Sequence, residues 1–268
     1  MNLLRIVDGL PDLWNRTFGG ILIVLAVIST ALMCLRDGNG SWALAAMALV
    51  AVVFAYVAWY RLAATTRSAG GYALLALSIV LVVAGAVLGE VTPLGWIVLL
   101  ALLTLIAVCG SLRFGPHITG LLIEPLLVSG AFIGAAAFMG HPARGAFLAA
   151  FAFMLGVSAG VSRDVERRVS ASEERNDTPP FQTAHRGALG FVSTVLFVFG
   201  VVALWPWLAQ THGLTYLWML IIGVYAPMLY FWGRLRQPNR SAAVAALRRF
   251  NHVLPYLGLI LLLAFVIG

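Results

Sequence analysis

Long apolar runs alternate with short polar interruptions along most of the chain, and this pattern predicts membrane-spanning helices. Most runs hold about 20 residues, the length that an α-helix needs to cross the hydrocarbon core of a bilayer. The runs do not alternate between polar and apolar residues, so we expect helices and not the strands of a membrane barrel. The pattern predicts nine spans, at about residues 18–35, 42–62, 70–89, 92–112, 117–140, 143–162, 187–209, 213–232 and 251–268.

The composition indicates the same class of protein. Apolar residues make up 62% of the chain, charged residues make up 10%, and the mean hydropathy is +0.97. A soluble domain carries about 25% charged residues. We therefore expect an all-α polytopic membrane protein whose 268 residues form a single transmembrane domain. Residues 1–17 are amphipathic and are expected to lie along the membrane surface. They lack the features of a secretory signal, so we expect no processing.

The basic residues predict the orientation of the chain in the membrane. All seventeen are arginine, and fifteen of them fall at the N-terminus or in the even-numbered connections of the nine-span topology. The positive-inside rule then places the N-terminus in the cytoplasm and the C-terminus outside, in a bacterial-type inner membrane. Anionic lipids of the inner leaflet account for the net charge of +7, so we expect lipid contacts and no nucleic-acid partner.

One polar segment, residues 161–187, interrupts the apolar pattern more strongly than any other. It holds five of the ten carboxylates and five of the seventeen arginines. A charged segment between two spans is commonly a solvated loop, but in a chain this apolar it is also the place where polar chemistry can be assembled. We predict a cytoplasmic polar loop at 161–187. A second basic connection is expected at 233–250, where Ser241 begins a short helix on the membrane surface.

Glu124 lies about seven residues inside the fifth predicted span, which is roughly 10 Å of helix. An acid at membrane depth indicates function by default. It is either a general base that accepts a proton from an aromatic hydroxyl, or a buried carboxyl that hydrogen-bonds to a neighbouring helix. The residues around it leave both interpretations open.

Two further features predict helix packing. The sixth span is rich in glycine, alanine and serine, which suits close contact inside a helical bundle. Pro227 lies within the eighth span and is expected to kink it.

The segment Ser162-Arg163-Asp164-Val165-Glu166-Arg167-Arg168 resembles the second acidic signature of the UbiA superfamily of intramembrane aromatic prenyltransferases. In the menaquinone branch that signature reads Asn-x-x-Arg-Asp-Ile-Asp/Glu-x-Asp, and Arg163, Asp164 and Glu166 match it. Thr178-Pro179 is similar to the closing element that follows. Nine spans with a cytoplasmic N-terminus are also the layout of the superfamily. The resemblance implies a nine-helix UbiA-like bundle that transfers a prenyl group from a prenyl diphosphate to an aromatic or lipid acceptor.

The chain departs from the superfamily pattern at both acidic signatures. Arg168 occupies the position of the final acid of the second signature. The first signature, Asn-x-x-x-Asp-x-x-x-Asp, is expected near residues 56–70, where the chain reads YVAWYRLAATTRSAG and holds no carboxylate. In the superfamily these acids help to hold Mg²⁺ on the substrate diphosphate, and Mg²⁺ prefers oxygen ligands. The resemblance thus leaves Asp164 and Glu166 as candidate ligands of Mg²⁺.

Two interpretations follow. In the first, arginines take over from metal ions and bind a prenyl diphosphate or a lipid phosphate directly, because a guanidinium group can bind phosphate oxygens bidentately. The candidate catalytic acids are then Asp164, Glu166 and Glu124, and the candidate substrate contacts are Arg61, Arg67, Arg163, Arg167, Arg168, Asn176 and Asp177. In the second, catalysis is lost and the chain is a structural or partner subunit, or a carrier of a lipid or another small molecule. No feature of the sequence specifies a protein partner.

Overall fold

The structure is a computed structural model that describes residues 27–28, 30–32, 42–64, 69–89, 91–111, 122–139, 142–174, 181–235 and 240–267. Every regular element in these ranges is helical, as the sequence predicts. The helices are α1 (Trp42–Ala64), α2 (Ala69–Leu88), α3 (Pro93–Ser111), α4 (Glu124–Phe138), α5 (Pro142–Glu174), α6 (Phe181–Ala203), α7 (Trp205–Leu208), α8 (Leu214–Leu220), α9 (Ala226–Leu235) and α10 (Arg240–Ile267). A π-helical turn, Ile221–Tyr225, joins α8 to α9.

Eight of the nine predicted spans correspond to helices in the described part of the chain. Among the described residues, five stretches are long and apolar enough to cross a membrane, namely Ala69–Leu88, Gly145–Val169, Arg186–Leu208, Leu214–Leu235 and Ala242–Ile267. Shorter apolar helices cover Trp42–Ala58, Gly95–Thr104 and Glu124–Phe138. Within the first predicted span, residues 27–28 and 30–32 are helical and the others lie outside the described residues. The prediction of a helical integral membrane protein is confirmed.

The chain divides into two compact units. Unit 1 comprises residues 1–114 and 127–149, and unit 2 comprises residues 115–126 and 150–268, so α4 and α5 contribute to both. In unit 1, α1 packs against α2 and α3. The core of unit 1 is built mostly from small and branched apolar side chains around Phe138, which is 2% exposed. A Cβ atom at Gly85 would overlap the Phe138 ring, so the absence of a side chain there lets α2 approach α4.

In unit 2, α10 packs against α8, the π-helical turn and α9. Val165 and Val169 of α5 join Ala243, Val244 and Leu247 of α10 in a buried cluster. A second contact set is aromatic, since the Phe151 ring lies 5.3 Å from the Phe199 ring and 6.0 Å from the Phe265 ring. These contacts hold α5 against α10. Most of the polar residues of unit 2 that are described below lie on these two helices.

The structure differs from the prediction at two junctions. Residues 161–174, predicted as the first half of a polar loop, continue α5 to Glu174, because Val165 and Val169 extend its buried face beyond the apolar run. The short surface helix predicted from Ser241 and the ninth span form one 28-residue helix, α10. Buried residues on both sides of the junction, Leu247 and Leu254 among them, keep one face of α10 continuous.

Small residues in the sixth span permit close packing, as predicted. A Cβ atom at Gly145 would overlap the main-chain carbonyl of Phe132, and one at Gly156 would lie 2.9 Å from Cβ of Pro125. Near Pro227 the backbone leaves α-helical geometry in the π-helical turn Ile221–Tyr225. Proline has no N–H group to complete an α-helical hydrogen bond, which is consistent with an irregular turn beside it, and the predicted kink stays a prediction.

Candidate functional site

Polar side chains of unit 2 lie around residues 163–168 of α5, on more than one side of this helix, and on the helices beside it. We call this group the polar cluster; its members are Glu124, Arg163, Asp164, Glu166, Arg168, Arg248 and Asn251. All three carboxylates in it have a cationic partner, and none is fully exposed. The cluster therefore combines three ion pairs with the apolar packing of α5 against α10.

Glu124 and Arg163 link α4 to α5. Nη2 of Arg163 donates to Oε2 of Glu124 at 3.3 Å, and the two side chains are 32% and 38% exposed respectively. Nε of Arg163 also donates to the main-chain oxygen of Ala159 at 3.3 Å. Neither contact uses the Nη1 amino group. Arg163 is thus held at two points and retains N–H donors for a further acceptor.

The sequence left two interpretations of Glu124 open, and the structure shows the hydrogen bond to a neighbouring helix that the second of them includes, but not the burial. Glu124 lies in the first turn of α4, and its carboxylate accepts a hydrogen bond from the neighbouring helix α5. At that position it is partly exposed. Its catalytic role stays a prediction.

Asp164 pairs within its own helix. Oδ2 of Asp164 lies 2.8 Å from Nη2 of Arg168, four residues further along α5. Residues at this spacing lie one above the other on a single helix face. The pair therefore brings together two predicted site residues. The positive charge of Arg168 offsets the negative charge of Asp164.

Glu166 contacts residues that the sequence analysis did not select. Its Oε2 accepts a hydrogen bond from Nδ2 of Asn251 at 2.6 Å, and its Oε1 lies 3.7 Å from Nε of Arg248. Both partners are on α10, where the sequence predicts a boundary between a surface helix and a span. A signal was present, because Arg248 and Asn251 are three residues apart and share one face of any helix that continues through the junction.

The candidate magnesium ligands do not converge. Asp164 and Glu166 are two residues apart on a helix, so their side chains are rotated by about 200° around its axis and point to opposite sides. One ion would not be held by both carboxylates, and the predicted metal pair does not fit this geometry. Within the described part of the chain, no group of three or more histidine, cysteine or acidic residues is arranged to hold a metal ion.

Several predicted contacts lie outside the described residues. These are Arg67, Asn176 and Asp177, together with the side chain of Arg61. Arg167 is described and exposed on α5, four residues after Arg163. The predicted approach of Arg61 and Arg67 to the arginines of α5 stays a prediction.

Unit 1 contains a cavity of different character. It has a volume of about 80 Å³ and is lined mainly by apolar side chains, including Leu102, Ala131 and Phe138, and also by Tyr56. Ser78 also lines it, but its hydroxyl donates to the main-chain oxygen of Ala51 at 2.8 Å. The walls therefore suit a hydrocarbon group and offer little to a charged one.

The predicted all-α membrane fold agrees with that of a known protein. One solved structure with a similar fold is that of digeranylgeranylglyceryl phosphate synthase in membranes. It is similar to 95% of this chain over 94% of its own length, with a TM-score of 0.66 and 14% sequence identity. No protein-family model matches the chain, and no curated protein matches it in sequence. At this identity the similarity shows the fold alone.

Proposed function

We propose that this chain is a UbiA-like integral membrane protein that binds an isoprenoid diphosphate or a lipid phosphate and transfers the prenyl group to an aromatic or lipid acceptor. The observation that carries the proposal is the two-point support of Arg163 by Glu124 and Ala159. A guanidinium group that is already oriented loses less side-chain entropy when it binds an anion.

Charge in the same region supports an anionic ligand. Arg163 and Arg168 each keep N–H donors beyond their ion pairs with Glu124 and Asp164. These donors can bind phosphate oxygens without a metal ion. Hydrogen bonds between guanidinium and phosphate are also about twice as strong as neutral ones.

The remainder of the ligand is proposed to be a hydrocarbon chain. The apolar cavity of unit 1, taken by itself, shows that the chain offers space lined mainly by apolar side chains. The similar solved structure is a synthase whose name specifies a geranylgeranyl-substituted glyceryl phosphate, which is both an isoprenoid and a phosphate ester. Neither feature specifies the acceptor or the chain length.

Glu124 is assigned to positioning Arg163 because its carboxylate already accepts a hydrogen bond from that arginine. The arginine distribution along the sequence supports placing the polar cluster at the cytoplasmic face of a bacterial-type inner membrane.

A structural role is the second candidate, and one observation favours it. Glu124 links α4 to α5, and Glu166 links α5 to α10. Contacts of this kind hold helices together. A chain that had lost catalysis would keep such contacts for stability or for a partner subunit.

Thermal unfolding of the purified protein with farnesyl diphosphate or phosphatidic acid tests the proposal, since a ligand that binds the folded state raises the unfolding temperature. We expect stabilisation of the wild type, its loss in Arg163→Gln and its retention in Arg249→Gln, which removes an exposed arginine of α10. Prenyl transfer is then assayed with radiolabelled farnesyl diphosphate and membrane lipids. Stabilisation without transfer would favour a carrier, and the absence of both would favour the structural role.

A further inference from the structure

Arg168 stands where the resembling signature has its final acid, and the structure shows what the arginine does there. Its Nη2 lies 2.8 Å from Oδ2 of Asp164. Two acids at these positions would place their carboxylates one helical turn apart on the same face of α5. Such a pair could supply oxygen ligands to a Mg²⁺ ion that also binds phosphate. In this chain one of the two acids is replaced by Arg168, whose guanidinium group carries a positive charge.

The other described carboxylates of the cluster are committed in the same way. Glu124 holds Arg163, and Glu166 holds Asn251 and approaches Arg248. Each acid already lies beside a cation, which offsets the negative charge that would attract a metal ion. The structure describes the side chains of three carboxylates, Glu124, Asp164 and Glu166. Each of them forms an ion pair with an arginine.

We propose that Arg168 replaces the metal ion, so that phosphate binding at the polar cluster is independent of Mg²⁺. Asp164 and Glu124 are then positioning residues that orient the guanidinium groups of Arg168 and Arg163. The side chain of Arg168 is 66% exposed, and its pairing with Asp164 leaves the remaining N–H donors to a ligand. This inference rests on the proposed function for the identity of its ligand.

The test measures binding to the purified full-length protein by calorimetry and thermal unfolding, in EDTA and in excess Mg²⁺. The probes are farnesyl diphosphate, phosphatidic acid in detergent micelles and inorganic diphosphate, which separate a prenyl diphosphate from a lipid phosphate and from the phosphate group alone. We expect the dissociation constant of the wild type to be the same in both conditions within about twofold, because no bound ion links protein and ligand.

Arg168→Asp restores an acid one turn from Asp164. In this variant we expect binding to weaken by at least roughly tenfold in EDTA, the size of a lost charged contact, and to recover in Mg²⁺. Mg²⁺ alone should stabilise Arg168→Asp but not the wild type, which tests the metal replacement without any phosphate ligand. Arg249→Asp is the matched control, because it makes the same change of charge on an exposed position of α10.

Glu124→Gln supplies a second readout that does not depend on the folding of Arg168→Asp. A positioning role predicts weaker binding in both EDTA and Mg²⁺, although the substitution makes the site more positive. Tighter binding would show that Glu124 only repels the ligand and would overturn the positioning role.

The remaining outcomes separate the two levels of the proposal. Wild-type binding that requires Mg²⁺ overturns the metal-free inference and leaves the proposed function standing. A wild type that binds none of the three probes in either condition overturns the proposed function, and the inference with it. Equal binding of Arg168→Asp in EDTA and in Mg²⁺ would show that Arg168 does not occupy a metal position.

Discussion

The cavity of unit 1 and the polar cluster of unit 2 offer a ligand opposite kinds of chemistry. The cavity is bounded by apolar side chains, and the hydroxyl of Ser78 in its wall is already satisfied by Ala51. The polar cluster holds arginines that are oriented by carboxylates and still have N–H donors. The two regions differ because one is built from apolar side chains and the other from paired charges. Substitutions in one region should therefore leave the property of the other unchanged.

The largest effect is expected on stability, from Phe138→Ala in unit 1. This ring is 2% exposed, and its loss leaves a void beside Gly85. We expect the free energy of unfolding to fall by about 3–5 kcal/mol, measured by denaturant titration in detergent. Phe197→Ala is the control, because that side chain is 67% exposed. Comparable losses in the two variants would contradict the location of the core.

Arg163→Lys tests the polar cluster. Lysine keeps the charge but cannot donate to Glu124, Ala159 and a phosphate from one planar group. We expect the affinity for farnesyl diphosphate to fall by roughly tenfold or more, while thermal stability without ligand changes little. Arg234→Lys is the control, since Arg234 is exposed and lies 5.5 Å from the centre of the Tyr230 ring. Unchanged affinity in Arg163→Lys would mean that charge alone matters.

Ala131→Leu tests the cavity. Ala131 lines the cavity and is 7% exposed, so three added carbon atoms would occupy part of the space. We expect the affinity for farnesol, an isoprenoid without phosphate, to fall by several-fold, in line with about 1–3 kcal/mol for overpacking an apolar site. Binding of inorganic diphosphate should not change. The control is Val87→Leu, at a position of unit 1 that is 65% exposed. A loss of both ligands would show that the substitution acts through the fold.

The smallest effect is expected from Arg248→Gln. Its Nε lies 3.7 Å from Glu166, and the side chain is 48% exposed, so solvent screens the pair. The free energy of unfolding should fall by about 0.2–1 kcal/mol, and the difference should shrink as salt is added. A loss that is larger than this and insensitive to salt would show that Arg248 braces α5 against α10 through more than this pair.

The fold class could be read from the apolar pattern because lipid allows few structures. A backbone in hydrocarbon must satisfy its own hydrogen bonds, so continuous apolar runs of about 20 residues become helices. The segment that contains the candidate arginines could also be identified from the sequence, because few positions of so apolar a chain are charged. For the same reason the sequence could name Glu124 and Arg163 separately.

The partners of these residues could not be read from the sequence. Glu124 and Arg163 are 39 residues apart, and Glu166 and Asn251 are 85 residues apart, so only the packing of α4, α5 and α10 brings them together. The relation of Asp164 to Glu166 also depended on structure. In a loop the two carboxylates could have turned toward one ion, but α5 continues through them and points them to opposite sides.

The sequence by itself determined that the chain is helical and membrane-spanning, because hydropathy is local and a helix satisfies its hydrogen bonds within one segment. It also determined which charged residues are available, including Arg168 at the position of an acid. Only the tertiary structure decided how those charges are used. Ion pairs and hydrogen bonds between helices depend on which faces meet, and here the meeting faces assign Glu124 to Arg163 and Glu166 to Asn251.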